Sequence, residues 1–150
     1  MLKEGDKAPA IRLDTDTGEP FKLSDLKGKK VVLYFYPKAD TPGCTVEACE
    51  FRDQSKKFAG KDAVIVGISP DAVKSQSKFK EKFGLPFTLL CDVDKEAAQA
   101  YGVYKEKNMY GKKMMGIERT TFIIGADGRI AKIFPKVKAQ GHADQVLQAL

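Results

Sequence analysis

Runs of apolar residues alternate with polar segments along the chain, and their spacing switches between strand-like and helix-like. Residues 31–36 and 63–68 are runs rich in β-branched and aromatic residues, which predict strands buried on both faces. Between them, apolar residues of 45–59 recur at helical spacing, and the segment ends at Gly60, a residue type that commonly ends helices. This strand–helix–strand order predicts two parallel neighbouring strands.

The rest of the chain predicts further alternation and a closing hairpin. Ser69 as N-cap and Pro70 in the first helical position predict a helix that runs to Phe83 and ends at Gly84. The segment 105–116 is polar, contains glycine and lacks periodicity, so we expect a loop there. The remaining predicted elements are a strand at 88–91, a short helix at 94–101, a hairpin at 120–134 and a terminal helix at 142–150.

The N-terminal segment completes the predicted order of elements. Apolar residues at 11–13 and 21–23 flank a glycine-containing turn, which predicts a β-hairpin. A parallel half followed by a closing hairpin and helix is the plan of the thioredoxin-like α/β fold, with a central mixed β-sheet flanked by helices. Flavodoxin-like sheets share the first half, but the hairpin at 120–134 argues against a fully parallel sheet. The 150 residues suit a single domain, which we expect to span 1–150.

Composition narrows the classes of function. Apolar residues make up 43% of the chain, which is too many for intrinsic disorder, and no apolar run reaches the roughly 20 residues of a membrane helix. The N-terminus lacks the apolar segment of a secretory signal, so we expect a cytoplasmic protein without membrane contact. The net charge is +6, but lysines supply most of the basic residues and are spread among acidic ones. Because phosphate and base recognition favours arginine, we expect a solvated lysine-rich surface and no nucleic-acid partner.

Candidate chemistry is concentrated where the first buried strand meets the following helix. Pro42 disfavours helical geometry at Thr41, so Thr41 is a natural N-cap with Pro42 in the first helical position. Cys44 then falls in the first helical turn, where unpaired backbone N–H groups and the positive end of the helix dipole favour a thiolate. The spacing therefore predicts a reactive cysteine, and a second cysteine, Cys49, follows in the same segment.

The residues around Cys44 match the motif of a known family. Pro37, Thr41 and Cys44 fit the active-site pattern Pro-x-x-x-Thr-x-x-Cys of the peroxiredoxins. The string 41–49 resembles that of the Q-type peroxiredoxins, also called bacterioferritin comigratory proteins. The resemblance covers nearly the whole chain and includes the segments 5–9, 31–36, 67–69 and 119–128. It implies a thiol-dependent peroxidase that reduces hydrogen peroxide and organic hydroperoxides.

The resemblance implies a role for each residue of the motif. Cys44 is the implied peroxidatic cysteine, whose thiolate attacks one peroxide oxygen and becomes a sulfenic acid. Cys49 is the implied resolving cysteine, which attacks that sulfenic acid and closes an intramolecular disulfide. Thr41 is implied to hold the thiolate and to orient the peroxide, and Pro37 is implied to wall the site from water.

Further residues are expected to polarise the peroxide or to support the site. Ionisation of the thiol does not by itself break the O–O bond, because charge on the leaving oxygen must also be stabilised. By the resemblance, Arg119 is the active-site arginine that supplies this stabilisation. Glu47, one helical turn past Cys44, is expected to pair with Arg119 and orient it. Gly43 is expected to give the segment the freedom to rearrange after oxidation.

Other residues of chemical interest suggest no second site. Cys91 ends a predicted buried strand and does not fit the other resolving position used by some Q-type members, so we expect it to be structural. His142 is the only histidine, which leaves no basis for a cysteine–histidine or serine–histidine–aspartate arrangement. The spacings match no zinc site, phosphate loop or dinucleotide fingerprint. We therefore expect no metal and no bound cofactor, but peroxide substrates and an external reductant, thioredoxin or a similar dithiol.

Two alternatives to a peroxidase remain open at this point. A thioredoxin-like disulfide reductase would use the same fold, although it expects Cys-x-x-Cys, and four residues separate Cys44 from Cys49. A non-enzymatic redox sensor or holdase could share the same cysteines. Peroxide consumption coupled to thioredoxin and its reductase separates the three hypotheses. The resemblance also leads us to expect a monomer.

Overall fold

A mixed β-sheet runs through the centre of the computed structural model, which describes residues 2–150 and describes Met109 by its backbone alone. The strands, numbered in chain order, are β1 (Arg12–Thr15), β2 (Pro20–Lys22), β3 (Lys30–Phe35), β4 (Ala63–Ser69), β5 (Thr88–Cys91), β6 (Tyr104–Met109), β7 (Lys112–Ile117), β8 (Thr120–Ile124) and β9 (Ile130–Phe134). Seven strands form the sheet in the order β2-β1-β5-β4-β3-β8-β9, while β6 pairs only with β7. β3 is parallel to β4, as its apolar run predicts, and antiparallel to β8.

Short helices cover both faces of this sheet. They are α1 (Pro42–Asp53), α2 (Ser55–Ala59), α3 (Val73–Phe83), α4 (Glu96–Ala100) and α5 (His142–Gln148), with a 3₁₀ turn at Leu23–Leu26. Gly84 ends α3 in the left-handed conformation, with φ of 59°, as expected for a glycine C-cap. Among the described residues, no helix has the length and apolar character needed to cross a membrane.

The side chains of β3 alternate between two hydrophobic cores, one on each face of the sheet. Val32 and Tyr34 pack in the core that contains residues of α1, α2, α3 and α5. Val31, Leu33 and Phe35 pack in the other core, with residues of α4 and β7. Burial on both faces explains why the β3 run is apolar throughout. Helices on both faces of a mixed sheet, together with the N-terminal β1–β2 hairpin, confirm the expected thioredoxin-like architecture.

Two predicted helices begin or break at other residues than the sequence suggested. The helix predicted over 45–59 is two helices, α1 and α2, separated at Gln54. Phe51 and Phe58 are both buried on the two sides of this break, so the apolar spacing carries no sign of it. The helix predicted from Ser69 begins at Val73 instead, because Ser69 is the last residue of β4.

Two further segments differ from their predicted structure. The helix predicted over 94–101 is limited to α4, and the carboxylate of Asp92 accepts hydrogen bonds from the N–H groups of Ala97 and Ala98 at its start. The predicted loop 105–116 is the hairpin β6–β7, which turns at Tyr110 and Gly111, both with positive φ. This hairpin forms a separate two-stranded sheet with mostly exposed side chains, so it lacks the apolar alternation that marks a strand in sequence.

Candidate active site

The predicted reactive cysteine lies where the chain passes from β3 into α1. Thr41 is the N-cap of α1, with extended backbone angles of −98° and 157°, and Pro42 occupies the first helical position. The N–H of Thr45 donates to the carbonyl of Thr41 at 2.8 Å and closes the first turn around Cys44. The side chain of Cys44 is only 1% exposed. Cys44 therefore lies in the first turn of a helix, at the positive end of the helix dipole, and is shielded from solvent.

Arg119 brings a positive charge to the sulfur. It directly precedes β8, and the pairing of β8 with β3 carries it across the sheet to α1. Its Nη2 atom donates to Sγ of Cys44 at a distance of 3.3 Å. A Cβ atom placed on Gly43 would stand 3.1 Å from the same Nη2 atom. Gly43 thus makes room for the guanidinium, a role that the sequence did not reveal.

Glu47 holds the other side of the Arg119 guanidinium. Nη1 of Arg119 donates to Oε1 of Glu47 at 2.8 Å, and the Glu47 side chain is completely buried. Burial raises the pKa of Glu47 to about 7, although the charge and the hydrogen bond of Arg119 act in the opposite direction. Burial lowers the pKa of Arg119, but Glu47 and Cys44 outweigh this effect and leave it raised. The guanidinium is therefore fixed between a carboxylate and the sulfur.

The other residues of the motif lie along the loop between β3 and α1. The hydroxyl of Thr41 donates to the carbonyl of Lys38 at 2.9 Å, so in this state it stabilises the loop, and rotation of the hydroxyl is needed to direct its proton at the sulfur. Pro37 is half-buried and starts the loop. The structure therefore brings Thr41, Glu47 and Arg119 to the turn that holds Cys44, and places Pro37 at the entrance of the same loop.

The cysteines are free thiols, and two of them share one helix. Cys49 is half-buried and lies on α1 with Cys44, with no break between them. Helix geometry separates the Cα atoms of two such residues by about 8.7 Å. A disulfide requires roughly 4.4–6.8 Å, so these two thiols cannot bond in this state. Burial and nearby aspartates raise the pKa of Cys91 to about 11, so it carries little thiolate at neutral pH.

The β6–β7 hairpin places a positive side chain, that of Lys107, near the candidate site, and nothing in the sequence indicated it. Lys107 is half-buried, and its Cδ atom lies 3.1 Å from where a Cβ on Gly116 would stand, so the absence of a side chain on Gly116 lets Lys107 lie across β7. Burial lowers the pKa of Lys107, and the positive charge of Arg119 lowers it further. The charges of Glu118 and Cys44 raise it. Because the segment was expected to be a loop, its side chains had no predicted direction.

This geometry suits a sulfur nucleophile that attacks a small electrophile. Sγ of Cys44 has a fixed hydrogen-bond donor on one side and the N-terminal turn of α1 on the other, so negative charge is stabilised on the sulfur and on an atom beside it. Across residues 2–150, no group of three or more histidine, cysteine, aspartate or glutamate side chains is arranged to hold a metal ion.

Several known proteins similar in sequence to this chain are named as peroxiredoxins. The model of the AhpC/TSA family matches residues 4–133. Peroxiredoxin Bcp of Bacillus subtilis is 54% identical over 149 residues, which cover 99% of this chain and 95% of the relative. Peroxiredoxin Bcp of Escherichia coli is 44% identical over 149 residues, which cover 99% and 96% of the two chains.

Solved structures agree with the sequence comparisons. A cysteine-to-serine mutant of PrxQ from Xylella fastidiosa has a TM-score of 0.94 at 38% identity, covering 99% of this chain and 95% of that one. The bacterioferritin comigratory protein of Xanthomonas campestris, studied for its alkyl peroxide reduction activity, has a TM-score of 0.92 at 40% identity, covering 98% and 96%. With a matched family model, close relatives over the full length and the same fold, this chain belongs to the AhpC/TSA family and is a Q-type peroxiredoxin, a thiol-dependent peroxidase.

Proposed function

We propose that Cys44 is the peroxidatic nucleophile of this peroxidase and that Arg119 polarises the peroxide. The observation that carries this proposal is the 3.3 Å contact between Nη2 of Arg119 and Sγ of a cysteine in the first turn of α1. The thiolate attacks one oxygen of the hydroperoxide, so that an S–O bond forms while the O–O bond breaks. The sulfur is oxidised to a sulfenic acid, and the leaving oxygen takes a proton from solvent and departs as water or an alcohol.

The surrounding residues support this first step in different ways. Because Glu47 holds the guanidinium, Arg119 needs no rearrangement as negative charge moves from the sulfur to the leaving oxygen. Thr41 offers a hydroxyl at the N-cap that can turn towards the sulfur or the peroxide. Gly43 leaves space for the guanidinium, and Pro37 with the burial of Cys44 limits access of water.

Cys49 resolves the sulfenic acid in the second step. Its thiol attacks the oxidised sulfur, the S–S bond forms, and the hydroxyl of the sulfenic acid leaves as water with the thiol proton. Since both cysteines lie on one regular helix, bond formation requires α1 to unwind, over about residues 41–51. Until it does, a second peroxide can oxidise the sulfenic acid further to a sulfinic acid.

A dithiol then returns the enzyme to its starting state. Thioredoxin or a similar reductant breaks the disulfide by two thiol–disulfide exchanges and leaves both cysteines as thiols. This requirement suits a reducing compartment such as the cytoplasm. Since one chain supplies every residue of the proposed site, a monomer with one catalytic domain over 1–150 is sufficient.

Peroxide consumption in the presence of thioredoxin and its reductase tests the proposed function. The wild type should consume hydrogen peroxide and an alkyl hydroperoxide continuously. Cys44→Ser should abolish consumption, because a hydroxyl group supplies almost no anion at neutral pH. Cys49→Ser should still allow one round of Cys44 oxidation, while turnover driven by thioredoxin falls.

Two outcomes would contradict the assignments. A wild type that turns over neither peroxide with any dithiol donor would rule out the proposed cycle and favour a redox sensor. Unaffected turnover in Cys49→Ser would show that Cys91 or an external thiol resolves the sulfenic acid, and Cys91→Ser would then distinguish these two.

A further inference from the structure

A chain of hydrogen bonds leads away from the active-site loop, and none of its members takes part in the proposed chemistry. Asp71 follows β4, and its Oδ2 atom accepts hydrogen bonds from the backbone N–H of Ala39 and from the hydroxyl of Ser69, both at 2.7 Å. Ala39 lies in the loop between β3 and α1, just before the N-cap Thr41. Asp71 therefore ties the loop that leads to Cys44 to the end of β4.

The other end of this chain is anchored in the core. Nε2 of Gln76, on α3, donates to Oγ of Ser69 and to the carbonyl of Leu90, both at 2.8 Å. The hydroxyl of Tyr36 donates to Oε1 of Gln76 at 2.6 Å. Tyr36, Ser69 and Gln76 are each no more than 2% exposed. Because these groups come from β4, β5, α3 and the end of β3, the anchor cannot move with the loop.

Apart from the hydrogen bond from Thr41 to Lys38 within the loop and the packing of Ala39 against the core, few contacts hold the shape of this loop. Asp40 has a φ of 59°, in the left-handed region that a residue with a Cβ adopts with strain. Its carboxylate pairs with Lys82 at 2.9 Å, but both side chains are largely exposed, and exposed pairs contribute little. The bond from Ala39 to Asp71 is partly buried and has an ionised acceptor, which is the stronger kind of hydrogen bond.

We propose that Asp71 is a positioning residue of the peroxidatic site: it fixes the loop before α1 and marks the point at which unwinding of α1 stops. The proposal rests on the two-step cycle described above. In the reduced state, the bond to Ala39 determines where the first turn of α1 begins, and hence where Cys44 stands relative to Arg119. During resolution, the chain after Thr41 rearranges while Ala39 stays bound, so the helix re-forms from a fixed end.

Loss of this bond should affect the two chemical steps differently. Asp71→Ala removes the acceptor, and the reaction of Cys44 with hydrogen peroxide should slow by about 10- to 100-fold, since small displacements of reacting groups have effects of this size. Conversion of the sulfenic acid to the disulfide should be about as fast as in the wild type, because that step does not break the bond between Ala39 and Asp71. Asp71→Asn keeps an oxygen in place of Oδ2 and should remain within about threefold of the wild type.

Stopped-flow oxidation of the reduced protein, followed by disulfide closure, measures both steps. The matched control is Lys82→Ala, which removes the exposed contact of the same loop and should change either rate by less than about twofold. A peroxide step in Asp71→Ala that equals the wild type, or an equal loss in Asp71→Asn, would overturn the proposal. A wild type that reduces no peroxide would contradict the proposed function instead.

Amide hydrogen exchange on the unmodified protein tests the same proposal without a substitution. The amide of Ala39 should be protected in both the reduced and the disulfide form, whereas the amides of 46–51 should be protected only in the reduced form. Rapid exchange at Ala39 in the reduced form would show that the bond does not hold the loop. Exchange at Ala39 together with 46–51 after oxidation would show that unwinding continues past it, and either result would overturn the proposal.

Discussion

At the scale of single residues, Arg119 contacts both Cys44 and Glu47. A variant of Arg119 therefore tests whether this residue acts on ionisation of the thiol or on the cleavage of the O–O bond. Arg119→Ala should slow the reaction of Cys44 with hydrogen peroxide by about 10²- to 10³-fold, because charge on the leaving oxygen loses its partner. The second-order rate constant is to be measured up to a pH at which the thiol is fully ionised in both proteins. Convergence of the two rates there would show that Arg119 acts on ionisation alone. Arg129→Ala is the matched control, since Arg129 bonds the distant carbonyl of Gly5 at 3.0 Å.

Glu47 should make the stability of the protein depend on pH. Burial raises its pKa from an ordinary value of 4.5 to about 7, so between these two values the folded chain binds more protons than the unfolded chain. Its contribution to the free energy of unfolding is therefore full below pH 4.5, and it is lost as the pH rises through the folded-state pKa of about 7. Glu47→Gln does not titrate and should lack this loss.

Urea denaturation of both proteins measures the effect of Glu47. The free energy of unfolding of Glu47→Gln minus that of the wild type should be larger near pH 8 than near pH 5, by about 2 kcal/mol. The variant is thus relatively more stable at the higher pH. A difference between the two proteins that does not change with pH would show that Glu47 has the same pKa in the folded and unfolded chains.

The residues of the site differ in how far the sequence could predict them. Thr41 and Cys44 act through local backbone geometry, which residue spacing encodes. Arg119 lies 75 residues from Cys44 along the chain, and only the family resemblance pointed to it, because its contact depends on the pairing of β3 with β8. Ser69 has the local chemistry of a helix cap, but its hydroxyl bonds to Asp71, because β4 extends to this residue.

At the scale of elements, the proposed cycle gives α1 two tasks that exclude each other. In that cycle the first turn stabilises the reduced sulfur, whereas the disulfide requires that turn to open. Amide exchange across residues 46–51 should therefore rise on oxidation in the wild type, because the helical hydrogen bonds are lost. Exchange should not rise in Cys49→Ser, which cannot form the disulfide. Equal protection in both redox states of the wild type, with the disulfide confirmed, would refute the unwinding of α1.

Element boundaries were predictable where burial is one-sided or complete, and not where tertiary contacts decide them. The buried strands β3 and β4 follow directly from their apolar runs. The hairpin β6–β7 was missed because it pairs only with itself and exposes most side chains of β7, so burial imposes no pattern on it. Lys107 lies on this hairpin, and its place near Arg119 and Cys44 depends on the hairpin. No sequence argument found Lys107, because the hairpin itself was not predicted.

At the scale of the whole molecule, the active site belongs to only one of the two cores. Cys44, Ala48 and Phe51 lie in the core formed with α2, α3 and α5. The core on the opposite face contains α4 and has no residue of α1. Unwinding of α1 should therefore loosen one layer of the protein while the sheet and the opposite layer stay folded.

The disulfide form should for this reason be less stable than the reduced form. A disulfide between Cys44 and Cys49 closes a loop of about six residues and contributes about 2 kcal/mol through loop entropy. Unwinding exposes Ala48 and Phe51, which are both fully buried, and burial contributes about 2–3 kcal/mol for a Phe side chain and about 0.8 kcal/mol for the methyl group of Ala. Calorimetry should find Tm lower by about 2–6 °C after oxidation, and no such change in Cys49→Ser. A higher Tm for the disulfide form would contradict the account.

The burial of Cys44 also determines which molecules can meet its sulfur. Because Cys44 is only 1% exposed, we expect a hydroperoxide group, which presents two small atoms, to reach its sulfur more readily than a tripeptide thiol or a bulky disulfide. On this expectation, the folded protein selects its oxidant by molecular volume as well as by reactivity. While α1 remains helical, we expect the oxidised sulfur to be shielded from the other thiols of the cell. The lifetime of the first turn of α1 then determines how long the sulfenic acid is shielded.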